Sequence, residues 1–413
     1  MSNTASRYAV WMILLAAAGT FALTMGTRQT MGLFLSDVNS ATGLGIANIS
    51  LAFAFGQLWW GLTQPFAGAF ADRVGAGRVL LIGVCLVALG TILTPLMTST
   101  VGLVFAIGVL AAGGAGMAGP SVLMAATTRM LPAERRGMAT GIVNAGGSFG
   151  QFIMAPVAAG LTAALGWMTS MQVLGLIVLL ALPAAWVLRG NSSAAATSAP
   201  AGVAGGPAPA REGTRAAITR ALADPSYRLL ACGFFVCGFH VAFLATHLPN
   251  VVAMCGLPPS VSAWSLGLLG LFNIVGSLAM GWAVGRWRMK SLLSLVYAAR
   301  AIAVLVFLLS PKTATTMLIF AAVMGLTYLS TVPPTAGLVA KFFGPANMAT
   351  LFGIVMLSHQ IGGFTGAWLG GKVFTMTGSY DTIWIIDILL AVGAALVHMP
   401  IKEAALPPKV QPA

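Results

Sequence analysis

Twelve long apolar runs, separated by short polar or glycine-rich connections, occupy almost the whole chain. They cover 8–35, 46–71, 78–97, 101–128, 137–164, 167–188, 228–254, 260–284, 291–309, 314–340, 347–373 and 382–400. The runs are continuous rather than alternating and about 20 residues long, the length a helix needs to cross a bilayer. Helices are therefore expected, not the strands of a barrel. Between the sixth and seventh runs lies 191–213, rich in Ala, Ser, Pro and Gly, a flexible linker by composition. A short basic segment, 214–224, then leads into Asp224-Pro225. The pattern predicts an all-α integral membrane protein of 12 transmembrane helices in two pseudo-symmetric six-helix bundles. The N-terminal bundle is expected over 1–190, a cytoplasmic linker over 191–225, and the C-terminal bundle with a short cytoplasmic tail over 226–413.

Composition agrees. Of 413 residues, 58% are hydrophobic and 7% charged, where a soluble domain carries about 25% charged residues. The net charge of +13 does not mark a nucleic-acid binder, because the cations are dispersed among the connections. Seventeen of the 21 Lys and Arg residues fall in alternate connections and tails, from Arg7 through Arg73, Arg78, Arg189, Arg286 and Lys341 to Lys409. The opposite connections hold only Lys312 and Lys372, and Arg28 and Arg300 lie inside runs. This bias places both termini and the linker in the cytoplasm of a multi-pass inner (plasma) membrane protein. No cleavage signature follows the first run, which reads as an uncleaved helix. Cys85, Cys232, Cys237 and Cys255 form no metal-ligand spacing. No nucleophile–base pair suggests an enzyme, and no cofactor is expected.

The two halves repeat. Gly68, Asp72, Arg73, Gly75 and Arg78 follow the second run; Gly281, Gly285, Arg286 and Arg288 follow the eighth in the same register, with Lys290 one position short of the place of Arg78. Met138-Ala139-Thr140 opens the fifth run and Met348-Ala349-Thr350 the eleventh. Parallel repeats of this kind place a substrate site at their interface, near the membrane midplane. The Gly68, Asp72, Arg73, Gly75, Arg78 motif and the six-plus-six arrangement resemble the major facilitator superfamily over the whole chain. The resemblance implies that these charges latch the cytoplasmic helix ends during a conformational cycle. Within the superfamily, 27–35 (TRQTMGLFL) and Asp224-Pro225-Ser226-Tyr227 resemble the monocarboxylate transporters and the related bacterial oxalate/formate exchangers. Arg28 stands where the monocarboxylate transporters place a lysine. The arginine that those families usually carry in the eighth span is absent from 271–277, and Arg300 in the ninth span is a candidate substitute.

Arg28 and Arg300 interrupt apolar runs, and neither has a carboxylate placed by sequence to neutralise it. A buried guanidinium is costly and marks function by default, and the missing negative charge can be a substrate's. Arg28, on a cavity-lining helix by resemblance, can take a carboxylate in a bidentate fork. The bland alternative is an arginine that bonds carbonyls at a helix break. Arg300 either contacts substrate, braces the eighth span through Asn273 or Ser277, or caps carbonyls at a kink. The offset between the repeats carries Arg28 onto His240, which is expected across the cavity as a substrate and proton-coupling residue. His247, two turns on, is a second proton candidate. His359, Gln57, Asn144 and Tyr328 complete the expected substrate-binding set. Tyr328 precedes Pro333-Pro334, an expected kink. Asn144, Ser148 and Gln151 form a polar stripe that faces a cavity or a neighbouring helix. None of the eight acidic residues falls at mid-span; Asp387 comes nearest, toward the outer end of the last run.

The expected function is secondary transport of a small organic anion, monocarboxylate-like, by alternating access, with proton symport ahead of exchange. The partners are then that anion, protons and the lipid bilayer, with no nucleic acid, and the carrier a monomer. The alternative is an exporter of a neutral or aromatic drug-like compound, with both arginines structural.

Overall fold

The computed structural model describes residues 2–130, 136–189, 214–343 and 348–404. All regular structure among the described residues is helical. The first span is α1 (Ser2–Thr30), a 3-10 turn (Met31–Phe34) and α2 (Leu35–Thr42). The second and third are α3 (Ile46–Val74) and α4 (Ala76–Leu93). The fourth joins α5 (Thr100–Leu103), a π-helical stretch (Val104–Ala112), α6 (Gly113–Met117) and α7 (Pro120–Met130). The fifth is α8 (Arg136–Leu165), and the sixth is α9 (Trp167–Val178) with α10 (Leu182–Val187). The basic segment of the linker is itself a helix, α11 (Thr214–Ala223), held by the buried Ala217 and Ala221; the rest of the expected linker, 191–213, lies outside the described residues.

The second series is α12 (Pro225–Met254), α13 (Pro259–Val284), α14 (Met289–Leu309), α15 (Ala314–Thr327) with α16 (Val332–Phe343), α17 (Met348–Thr377) and α18 (Asp381–His398). Asp224 caps α12 by accepting a hydrogen bond from Tyr227 N at 2.9 Å. The α15–α16 break falls just before Pro333 and Pro334, where the kink is expected.

Among the described residues, ten helical spans are long and apolar enough to cross a membrane by length and composition. The other two, α3 and α17, run for 29 and 30 residues and fall outside that set. They pack against each other at the seam between the two helix groups, so polar residues such as Gln57 and Gln360 meet protein instead of hydrocarbon. The second seam is α8 against α13. Helices α3 and α13 start at Ile46 and Pro259, and α8 and α17 at Arg136 and Met348. The two intervals differ by a single position, so the seams are related by the repeat.

Among the described residues, the seams close at one end. Described polar, ring and glycine contacts between the groups involve 46–61 on α3, 360–371 on α17, 148–156 on α8 and 264–273 on α13. A Cβ on Gly270 would stand 2.6 Å from Ser148 O across the second seam, an approach only glycine permits. At the other ends of the same helices, a Cβ on Gly68, Gly141, Gly281 or Gly353 would meet nothing within 4 Å. The parted end is the one that holds the α11–α12 junction, the start of α14 and the ends of α16 and α18. Lys402 N donates to Ser226 Oγ, Lys290 N to Glu403 Oε1, and Lys341 pairs with Glu403 at 3.5 Å. The joined end carries Lys312, whose Nζ donates to the C-terminal carbonyls Phe307 O, Leu308 O and Ser310 O.

Candidate functional site

Arg28 lies in the last turn of α1, just before the 3-10 turn. Its guanidinium is half-buried and donates to the side-chain oxygens of Gln57 and, at 3.3 Å, Gln29. It also stands over the Trp60 ring, 4.7 Å from the centroid. Gln57 Nε2 donates in turn to Gln360 Oε1 at 3.0 Å, so the chain Arg28–Gln57–Gln360 crosses the α3–α17 seam. Among the described residues, Arg28 has no carboxylate partner: its ligands are neutral amides, the Met25 sulfur and an aromatic face.

Arg28 and Gln57 border a cavity of about 50 Å³ between the helix groups. One water needs about 10–15 Å³ on such a measure, so the space suits a few waters or a compact polar group. Phe53, Gly56, Ile107, Ala111 and Ala112 line it from the first group, and Ala242, Ala245, Thr246 and Ala367 from the second. Ile107, Ala111 and Ala112 belong to the π-helical stretch, a distortion often found at functional sites. A mostly apolar chamber with one cation on its wall concentrates attraction for a single negative charge.

Arg300 is in a different place. It is 1% exposed, inside the second helix group. Its Nη2 donates to Thr327 O and, at 2.7 Å, to Tyr328 O, the carbonyls freed where α15 breaks from α16. Its Nη1 meets His240 Nδ1 at 3.3 Å, and its ring neighbour Tyr297 stands 5.3 Å away. Carbonyl capping at a kink is the role that this geometry supports. Asn273 is not its partner. That amide donates to Ser148 Oγ at 2.8 Å and accepts from Leu329 N at 3.0 Å.

The expectation that no carboxylate is buried near these cations is corrected by Asp387. It is 1% exposed, and its Oδ1 lies 3.1 Å from His240 Nε2. An arginine can only donate, so Arg300 fixes Nδ1 of His240 as an acceptor and leaves the proton on Nε2. That N–H is aimed at Asp387 O, 3.3 Å away, and Oδ1 itself receives no directed donor. His240 thus faces Arg300 and Asp387 and is not among the cavity-lining residues. Ala242, Ala245 and Thr246 occupy the cavity face of α12 instead.

The other candidates separate in the same way. His247 is saturated: Nε2 donates to Ala367 O at 2.7 Å, and Nδ1 accepts from Tyr380 Oη at 3.1 Å. Asn250 Nδ2 donates to the same phenol oxygen at 2.9 Å. His359 is buried against Phe234, ring centroids 4.9 Å apart, and its ring neighbours the Cys237 thiol. Tyr328 neighbours Arg28 and Gln29, and its Oη donates to Val241 O at 3.0 Å. Asn144 is exposed on α8, one turn from Ser148 toward the parted end. In the expected latch, Gly75 takes a φ of +94° between α3 and α4, a turn suited to glycine, and Arg73 and Arg78 are exposed. The Asp72 side chain lies outside the described residues. Gln360, Trp60 and Asp387 are the contributors that sequence reasoning missed.

The Major Facilitator Superfamily model matches residues 13–367 and 230–412. Monocarboxylate transporter 13 of Rattus norvegicus is 24% identical over 401 residues, covering 94% of this chain and 89% of that one. The uncharacterized MFS-type transporter YcxA of Bacillus subtilis (strain 168) is 23% identical over 403 residues, covering 94% of each. Among solved structures, a bacterial homolog of the human lysosomal transporter Spinster, inward-facing and unoccupied, superposes with a TM-score of 0.76 at 15% identity. It covers 94% of this chain and 96% of that one. The family model matches well over half of the chain, and this chain belongs to the Major Facilitator Superfamily of membrane transporters.

Proposed function

We propose that this protein carries a small organic anion, monocarboxylate-like, across the membrane by alternating access. The observation that carries the reading is Arg28: a cation on the wall of an apolar chamber between the halves, with no carboxylate partner among the described residues. A carboxylate there would take the guanidinium in a charge-assisted fork and supply the missing charge. The likeness to monocarboxylate transporters over nearly the full length of the chain supports the same substrate class. The basic residues gather at the parted end, which makes that end cytoplasmic and the present conformer inward-facing. Rocking of the halves about the chamber would open the joined end in turn.

The test is a thermal-shift screen of purified protein with mono- and dicarboxylates, alongside Arg28→Ala. A ligand at 100 times its Kd stabilises by about 2.7 kcal/mol. Stabilisation by one carboxylate class, lost in Arg28→Ala, supports the anion site. Stabilisation only by neutral aromatic compounds, unchanged in the variant, would make Arg28 structural and the protein an exporter of such compounds.

A further inference from the structure

We infer that Asp387, with His240 and Arg300, forms a proton-binding site of the carrier, set apart from the Arg28 chamber and joined to it through Tyr328. Its role in coupling rests on the anion-carrier reading; proton binding itself does not. Three helices, α12, α14 and α18, bring these side chains together, and each of the three residues is 1% exposed. A buried carboxylate is costly in a membrane protein and is retained where it moves protons or pairs charge. Here the pairing is indirect, because the His240 imidazole stands between the Arg300 guanidinium and the carboxylate. Oδ1 is enclosed and has no directed donor, so the carboxylate has a lone pair free to take a proton. The arriving proton forms an O–H bond on Asp387, and Arg300 keeps its charge. Among the described residues, the other titratable groups facing the cluster are Cys237 on α12, Tyr297 on α14, Tyr328 at the α15–α16 break, His359 on α17 and His398 on α18. None of them is a second carboxylate.

Charge balance gives the cluster a use. In the empty carrier Arg300 and Asp387 offset each other and Arg28 stands alone. One anion at Arg28 and one proton on Asp387 return the interior to the same net charge. Loaded and empty carriers can then change conformation alike, which is what electroneutral symport requires.

The structure also supplies a mechanical link. Arg300 holds Thr327 O and Tyr328 O, and so fixes the α15–α16 break. Tyr328 reaches from that break to Val241 O, beside Arg28 and Gln29. Protonation removes the charge that draws Arg300 toward α18 and leaves it to the carbonyls of the break. The position of Tyr328 beside Arg28 and Gln29 therefore depends on whether Asp387 holds a proton.

The experiment is infrared difference spectroscopy of the purified protein between mildly alkaline and mildly acidic buffer. Wild type should gain the carbonyl band of a protonated carboxylic acid. The band should disappear in Asp387→Asn, move in Asp387→Glu and persist in Arg28→Ala. An unchanged band in Asp387→Asn, or no band in wild type, overturns the proton site. Should Asp387→Asn not fold, the shift in Asp387→Glu decides alone, and an unshifted band overturns the assignment. Pyruvate added to weakly buffered wild-type protein tests the coupling: proton uptake is expected, and its absence in a protein that pyruvate stabilises overturns it. No stabilisation by any carboxylate, with the infrared band intact, is the failure of the anion reading and leaves the proton site without its coupling role.

Discussion

Closure of the α8–α13 seam depends on Gly270. A Cβ there would lie 2.6 Å from Ser148 O and 3.0 Å from both Gln151 Cβ and Phe152 N. Ordinary carbon contacts begin near about 3.5 Å, so Gly270→Ala requires the two helices to separate by about 1 Å. A packed interface resists such overpacking by about 1–3 kcal/mol. That penalty applies to the conformer with this end joined and is relieved if the end opens. The ratio of the two conformers should therefore move by about 5–150-fold toward opening. The assay is the distance distribution between spin labels at Thr169 and Ser260, both exposed at the joined end. Cys85, Cys232 and Cys255 are replaced and the buried Cys237 is kept. Gly393→Ala on α18, where a Cβ meets nothing within 4 Å, is the control. A longer-distance population in Gly270→Ala, absent from the control, is expected. An unchanged distribution, with or without a loss of stability, would refute the role assigned to this seam.

Three other expectations follow from the partners of single side chains. Arg300→Ala strands the buried Asp387 and the carbonyls of Thr327 and Tyr328, so it should cost about 3–5 kcal/mol of stability; a thermal midpoint equal to wild type contradicts this. Gln57→Ala removes an acceptor of a charged donor, worth about 1.5–3 kcal/mol. The empty carrier should lose about that much stability, and a thermal midpoint equal to wild type contradicts the contact. His247→Gln should lower stability yet leave the pH profile of transport in place, because His247 is a saturated neutral partner of Ala367 and Tyr380; a displaced profile would assign it a proton role.

Much of this was legible in the chain. Apolar run length alone located the spans, because lipid imposes one helix length on all of them. Arg28 stood out because nothing near it in sequence could neutralise it, and its place beside the chamber is consistent with that signal. His240 was misplaced for a reason of rotation. The repeat offset between α3 and α13 exceeds that between α8 and α17 by a single position. One such step turns a helix by about 100°, so the offset fixes depth along α12 but not the face. Asp387 was misjudged because its depth was counted from the end of its own span. That helix has 18 residues, whereas α12 has 30, so a position near one helix end meets the middle of the other. The 3-10 turn after Arg28 and the π-helical stretch at the chamber leave no composition signal, since both are made of residues that also suit an α-helix.

The most direct measurement of the central claim is uptake of radiolabelled monocarboxylates into proteoliposomes by wild type and Arg28→Ala, each verified as folded. If Arg28 is the anion site, wild-type uptake is saturable, competed by other carboxylates and reduced at least tenfold in Arg28→Ala, the effect of about 1.4 kcal/mol or more. Wild-type rates of carboxylate uptake in Arg28→Ala, or transport confined to neutral compounds, would contradict it.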